Sequence, residues 1–220
     1  MSRTLPLTLW FLSTSFLGGV LLLCAGRSDV PMLKAYLVVF AGMGLATALA
    51  AEPALDGERR KPGPAEIDPG SRFAASLLFL ATVIIAALDA GRFRWTPAVT
   101  VTTQIVALVA LILSGAFQVW AMTANPFFST AIRIQSERSH EIVTHGPYRF
   151  VRHPGYLAMA IFMPATALTL GSVFALIPAL SYSALILHRT VREDRFLNAT
   201  LPGYTGYAGA VYYRLIPGLW

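Results

Sequence analysis

Long apolar runs separated by short polar breaks dominate the chain. Uncharged stretches extend from Leu5 up to Arg27, from Ala35 to Ala51, from Phe73 to Leu88, from Trp95 to Ile132 and from Gly155 to Leu187. Several meet the roughly 20 residues that a helix needs to cross hydrocarbon. The runs are continuous rather than alternating, which predicts helices and not a barrel. The fifth run is too long for one crossing, since a single helix would measure about 50 Å against an apolar core of roughly 30 Å. Gly171-Ser172 divides it near its middle and predicts a helical hairpin, with arms of about 23 Å that tolerate Pro164 and Pro178. A single tilted helix is the alternative; it would carry Arg189, Arg192, Arg195 and Arg214 to the far side from Arg152 and His153. The expected fold is an all-α polytopic membrane helix bundle of about six membrane segments, the last two forming the hairpin. Residues 1–124 form a four-helix N-terminal membrane region. Residues 125–220 form a second region: a polar loop (125–155), the hairpin (156–188) and a C-terminal segment (189–220).

Composition strengthens the membrane reading. Hydrophobic residues make up 55% and charged residues 13% of the chain, with a mean hydropathy of +0.60, leaving too little polar surface for a soluble globule. The net charge of +6 does not imply nucleic acid, because the cations are spread over loops. An N-terminus in the cytoplasm puts Arg3, Arg59, Arg60, Lys61, Arg72, Arg133, Arg138, Arg149 and Arg152 on one side, leaving Arg27, Lys34, Arg92 and Arg94 outside. That asymmetry follows the positive-inside rule and predicts cytoplasmic N- and C-termini, in a bacterial inner membrane. The first run exceeds the usual h-region of a cleaved signal peptide. Cys24, alone in an apolar span, supports neither a disulfide nor a thiolate metal site. Glu52 to Ser71, rich in Pro, Gly and charge, reads as an exposed connector, and "DAGRFRWTP" as a short external turn.

Two polar clusters flank the hairpin: "RIQSERSHEIVTHGPYRFVRHPGY", Arg133 to Tyr156, and "HRTVREDRFLNATLPGYTGYAGAVYYRLIPGLW", His188 to Trp220. Ionised groups at a bilayer boundary are costly unless paired or hydrated, so their conjunction marks a candidate site. Simpler roles exist for each member. Arg149 and Arg152 can snorkel toward headgroups, Tyr148 and Tyr156 can belong to an interfacial aromatic belt, and His153-Pro154 can start a helix. Arg189 and Glu193, four apart, can form a same-face ion pair. The four histidines, His140, His145, His153 and His188, match no zinc or HExxH spacing, so no metal site is expected; Walker and GxGxxG loops are absent.

"GPYRFVRHPGY", an apolar hairpin, then "REDRFL", "LPGYTGY" and "YRLIPGLW" together resemble the integral membrane methyltransferases that include isoprenylcysteine carboxyl methyltransferase and the phospholipid methyltransferases. The resemblance covers about residues 125–220. It implies S-adenosylmethionine as methyl donor, with S-adenosylhomocysteine as product, held between the loop before the hairpin and the segment after it. Carried over by position, Gln135, His140, Glu141, Ile142 and Val143 are implied cofactor contacts. Tyr148, His153, Pro154, Gly155 and Tyr156 are implied to hold the donor's amino-acid end. Glu193 matches the first acid of the family's Glu-Glu pair and is implied in cofactor binding and catalysis; Arg189 matches an arginine implicated in acceptor binding and catalysis. The second acidic position holds Asp194 instead of Glu.

The chemistry agrees with the resemblance. A sulfonium amino acid joined to adenosine needs an acid, polar groups for its ammonium and carboxylate, and a flat apolar slot; Glu193, His153 with Tyr148, and Ile142-Val143 offer these. Methyl transfer is an in-line displacement on an activated carbon, so positioning and exclusion of water suffice, and a carboxylate acceptor needs no strong base. Arg189 suits an anionic acceptor. The expected partners are the lipid bilayer and a lipidic or prenylated acceptor. The rival readings are N-methylation of a phospholipid amine headgroup, and a transporter or membrane scaffold without enzymatic activity.

Overall fold

The computed structural model describes residues 4–52, 55, 59, 66–97 and 99–220. Among them are seven α-helices and no strand: α1 (Thr4–Ala25), α2 (Pro31–Ala50), α3 (Pro69–Ala87), α4 (Val101–Ala124), α5 (Pro154–Thr169), α6 (Leu176–Thr200) and α7 (Tyr204–Ala210). Four helices are long and apolar enough to cross a membrane: α1, α2, α4, and α3 with its extension to Phe93. Their starts are written locally. Proline occupies the first turn of α2, α3 and α5, where its missing N–H costs nothing. Asp68 caps α3 through the Ser71 amide, and Thr100 caps α4 through the Thr103 amide.

The long fifth run folds back on itself. Between α5 and α6, Gly171 takes φ +82°, and the Gly171 and Ser172 amides bond the Leu168 and Ala167 carbonyls. The arms are joined mid-length by Ser183, whose hydroxyl donates to the Ala160 carbonyl at 2.7 Å, a polar tie of the kind that joins helices in lipid.

The hairpin is fastened to α3 at both ends. On one side Arg189 of α6 donates to the Ser71 hydroxyl near the start of α3. On the other, the Ser172 hydroxyl donates to the Asp89 carboxylate at 2.6 Å, in the π-helical turn Leu88–Phe93 that extends α3. Asp89 also accepts from the Thr96 amide and hydroxyl, and so holds "DAGRFRWTP" against the hairpin tip. These ties lie about 25 Å apart along both helices, so α6 is coextensive with a helix long enough to span. The residues before α5 and after Arg189 therefore meet at one end of the bundle.

Part of the expected exposed connector, residues 53, 54, 56–58 and 60–65, lies outside the described residues, as do Arg3, Arg60 and Lys61. Several described connector residues pack against the polar end, so the connector is more than a solvated loop. Arg59 is buried and donates to the Met122 carbonyl, the Ile67 amide donates to the Ile132 carbonyl, and Arg192 of α6 contacts Asp68 and donates to the Ile67 carbonyl.

Candidate functional site

The polar end holds a cavity of about 620 Å³, within the range of small-molecule sites. Loop 125–153, the start of α5, the last turns of α6, and α7 form its polar side. His140, Glu141, Ile142, Val143, Tyr148, His153, Gly155, Tyr156, Arg189 and Glu193 all line it. Two expected contacts stand behind the wall. Gln135 is 1% exposed; its side chain donates to the Phe127 carbonyl at 2.7 Å and accepts from Arg138 at 2.7 Å. Pro154 is buried as the first residue of α5. Neither is among the lining residues; both shape the wall.

The loop carries its own order. His140 stacks on Phe127 with centroids 4.4 Å apart, and its Nδ1 accepts from the Gln135 amide. Burial, then the charges of Arg138 and Arg133, push its pKa down to about 4. The imidazole at the wall is therefore neutral near pH 7. Burial likewise raises the pKa of the Tyr148 phenol. At Gly155 an added Cβ would lie 2.6 Å from the Phe128 ring; only glycine lets the first turn of α5 approach that ring.

Asp194 organises the site from beneath. Arg152 grips its carboxylate with two bonds, at 2.8 and 3.1 Å, and donates further to the Val211 and Tyr212 carbonyls. Arg214 donates to it at 2.8 Å, the Tyr204 hydroxyl at 3.0 Å, and His153 Nε2 lies at 3.2 Å. Burial and the neighbouring Asp194 charge raise the Tyr204 pKa, which keeps this phenol a donor. The Arg152 and His153 amides also bond the Tyr213 and Arg214 carbonyls, sewing the tail to the loop. This cluster joins loop, α6, α7 and tail, and it presents His153 to the cavity.

Glu193, one residue earlier on α6, accepts a 2.5 Å bond from the Tyr156 hydroxyl. Arg189, 4% exposed, turns away from Glu193: it donates to Ser71 and to the Thr130 carbonyl, with its guanidinium 5.9 Å from the Tyr156 ring centroid. The one-turn ion pair is not formed among the described residues. Arg149 and Arg152 also part ways, Arg149 lying exposed over Phe150 and Arg152 buried on Asp194.

Sequence reasoning missed the Asp194 cluster, because its members are scattered along the chain from Arg152 to Arg214. It also missed the contribution of the N-terminal helices. Arg72, Ala75, Ser76, Phe79 and Leu80 of α3, and Gln118 of α4, line the same cavity, so a division at residue 124 runs through its wall. Charged and hydroxyl residues one or two turns inside α3 were the available signal.

The geometry defines a class: a polytopic helical protein with membrane-length helices and a polar chamber at one end. Residues 105–199 match the model of the isoprenylcysteine carboxyl methyltransferase (ICMT) family. The chain is similar to a probable protein-S-isoprenylcysteine O-methyltransferase of Oryza sativa subsp. indica, 39% identical over 66 residues, covering 30% of this chain and 35% of the relative. It is also similar to protein-S-isoprenylcysteine O-methyltransferase A of Arabidopsis thaliana, 36% identical over 78 residues, covering 35% and 40%. The nickel-cobalt-cadmium resistance protein NccN of Alcaligenes xylosoxydans xylosoxydans is 26% identical over 133 residues, covering 58% and 56%. The chain thus spans about a third of the length of the rice relative and somewhat over half of NccN.

Proposed function

We propose that this chain is an integral membrane methyltransferase of six membrane segments that uses S-adenosylmethionine to methylate a membrane-resident acceptor bearing an acidic group, such as the carboxylate of an isoprenylcysteine. One observation carries the reading: motif residues from both sides of the hairpin, among them His140, Tyr148, His153 and Tyr156 before it and Arg189 and Glu193 after it, line one cavity whose other wall belongs to apolar helices. The sixth segment rests on α6 being coextensive with α3. Cytoplasmic placement of the polar end follows from its excess of arginine.

The lining fits the donor's parts. Glu193 and Glu141 supply negative charge, Tyr148 and His153 supply hydrogen bonds, and Ile142 and Val143 border an apolar slot. Bound there, the donor supplies an electrophilic methyl group on a cationic sulfur. Gln135 acts by holding the Phe127 loop, and Pro154 by setting the start of α5. Tyr156 fixes the Glu193 carboxylate. Arg189 is held by Ser71 and Thr130 between the polar chamber and the apolar residues Phe79, Leu80 and Ile186. There it orients an acidic acceptor by charge-assisted bonds. An amine acceptor would meet this cation and would need Glu193 to take its proton.

The test is radiolabelled methyl transfer by the purified protein in detergent, offered prenylcysteine carboxylates and phosphatidylethanolamine in parallel, together with equilibrium binding of S-adenosylhomocysteine. Saturable binding and transfer to the carboxylate are expected. Transfer to the amine lipid alone would reassign the acceptor. Absence of donor binding would refute the reading in favour of a transporter or scaffold.

A further inference from the structure

Arg59, in the connector between α2 and α3, is 8% exposed, and it is not among the residues that line the cavity. A guanidinium is costly to bury unless its donors are met. This one donates to the Met122 carbonyl at 3.1 Å. Met122 lies in the last turn of α4, where carbonyls lack a partner within the helix and the helix dipole favours a cation. The side chain thus pins the connector's main chain to the end of α4.

The pinned main chain is used by the wall of the cavity. The Arg59 carbonyl accepts from the Thr130 amide at 3.2 Å, and from the Ser129 and Thr130 hydroxyls at 3.3 Å each. Ser129 and Thr130 both line the cavity. The carbonyl of Thr130 in turn accepts from Arg189 at 2.9 Å. Contacts therefore run in series from Met122 through Arg59 and Thr130 to Arg189.

The other grip on Arg189 also traces back to this connector. Its partner Ser71 donates a bond to the Asp68 carbonyl at 3.1 Å, and the Ile67 amide holds the Ile132 carbonyl at 3.2 Å. A guanidinium is a planar fork of five N–H donors, so the two oxygens that it grips set the plane in which its other donors point.

We propose that Arg59 is a positioning residue for the methyl acceptor: pinned to the end of α4, it fixes Thr130 and, through Thr130, the direction in which Arg189 presents its guanidinium to the acceptor's acidic group. The inference rests on the methyltransferase reading above. It gives a part in acceptor use to a residue outside the segment 105–199 that matches the family model.

The test is a double-mutant cycle on the full-length protein in detergent, with N-acetyl-S-farnesylcysteine as acceptor and S-adenosylhomocysteine affinity measured in parallel. Arg59→Ala is expected to raise the acceptor KM about threefold to tenfold, the value of one hydrogen bond, and to leave S-adenosylhomocysteine affinity unchanged. Arg59→Lys keeps a donor for the Met122 carbonyl and is expected to restore most of the loss. In an Arg189→Ala background, Arg59→Ala is expected to change the KM by less than about twofold, because the group that it positions is gone. Thr130→Val removes one bond to the Arg59 carbonyl from the other end of the series. It should raise the KM about twofold to threefold only while Arg189 is present, and it decides the matter if Arg59→Ala does not fold. Additive effects in the cycle, an unchanged KM in Arg59→Ala, or a parallel loss of S-adenosylhomocysteine affinity would each overturn the role of Arg59 alone. Failure of the wild type to bind S-adenosylhomocysteine or to methylate the carboxylate probe would overturn the reading above and this inference with it.

Discussion

Adjacent carboxylates on α6 do different work, and single substitutions separate them. Asp194 is engaged by Arg152, Arg214, Tyr204 and His153, whereas Glu193 faces the cavity with Tyr156. Removing one partner from a buried charge cluster costs about 3–5 kcal/mol, because the others are left uncompensated. Asp194→Asn should therefore lower the unfolding temperature on the order of 10 °C and weaken donor binding as a consequence. Glu193→Gln should leave the unfolding temperature nearly unchanged and weaken S-adenosylhomocysteine binding about tenfold, the value of a charge-assisted contact. Equal thermal shifts in the two variants would contradict this division.

His140 gives a pH dependence of definite sign. Its folded pKa is depressed from 6.5 to about 4, so between those values the unfolded chain binds more protons than the folded one. Stability is present above pH 6.5 and is lost as the pH falls toward 4. His140→Phe keeps a ring to stack on Phe127 and cannot titrate. Thermal unfolding of this variant should vary less between pH 7 and 4.5 than that of the wild type.

At the scale of elements, the hairpin turn and its far-side tie decide the site at the opposite end. Gly171 sits at φ +82°, and a Cβ there would lie 2.5 Å from Gln104 Nε2. Gly171→Ala should destabilise by about 1–2 kcal/mol from the left-handed backbone alone. Ser172→Ala removes a donor to the buried Asp89 carboxylate and should cost about 1.5–3 kcal/mol, as bonds to charged groups do. Both are read by thermal unfolding of the purified protein. Neither residue lines the cavity, so the S-adenosylhomocysteine affinity of the folded fraction should be retained.

For the whole molecule, the chamber is a joint product of both halves of the chain. Arg189 is positioned by Ser71 of α3 and by the loop at Thr130, and Arg189→Ala should raise the acceptor KM at least tenfold while leaving S-adenosylhomocysteine affinity unchanged, since the lost contact is one with an acidic group. Parallel loss of donor affinity would place Arg189 on the donor instead.

Helical character, the need for a turn near Gly171 and the polar clusters on either side were legible in the chain, because each rests on local pattern: hydrophobic run length, a glycine where two spans must join, and charges that cannot enter lipid. The motifs "HEIV", "HPGY" and "REDRFL" likewise marked the residues that line the cavity. What only the tertiary structure decided is which of those charges face the cavity and which are locked into packing. Arg149 and Arg152 stand three apart in one motif, yet one is exposed and the other locked on Asp194, and nothing near them in sequence tells them apart. The walls given by α3 and by Gln118 are decided the same way. Partners that far apart in sequence are selected by helix packing, which depends on every intervening turn at once rather than on the identity of any short stretch.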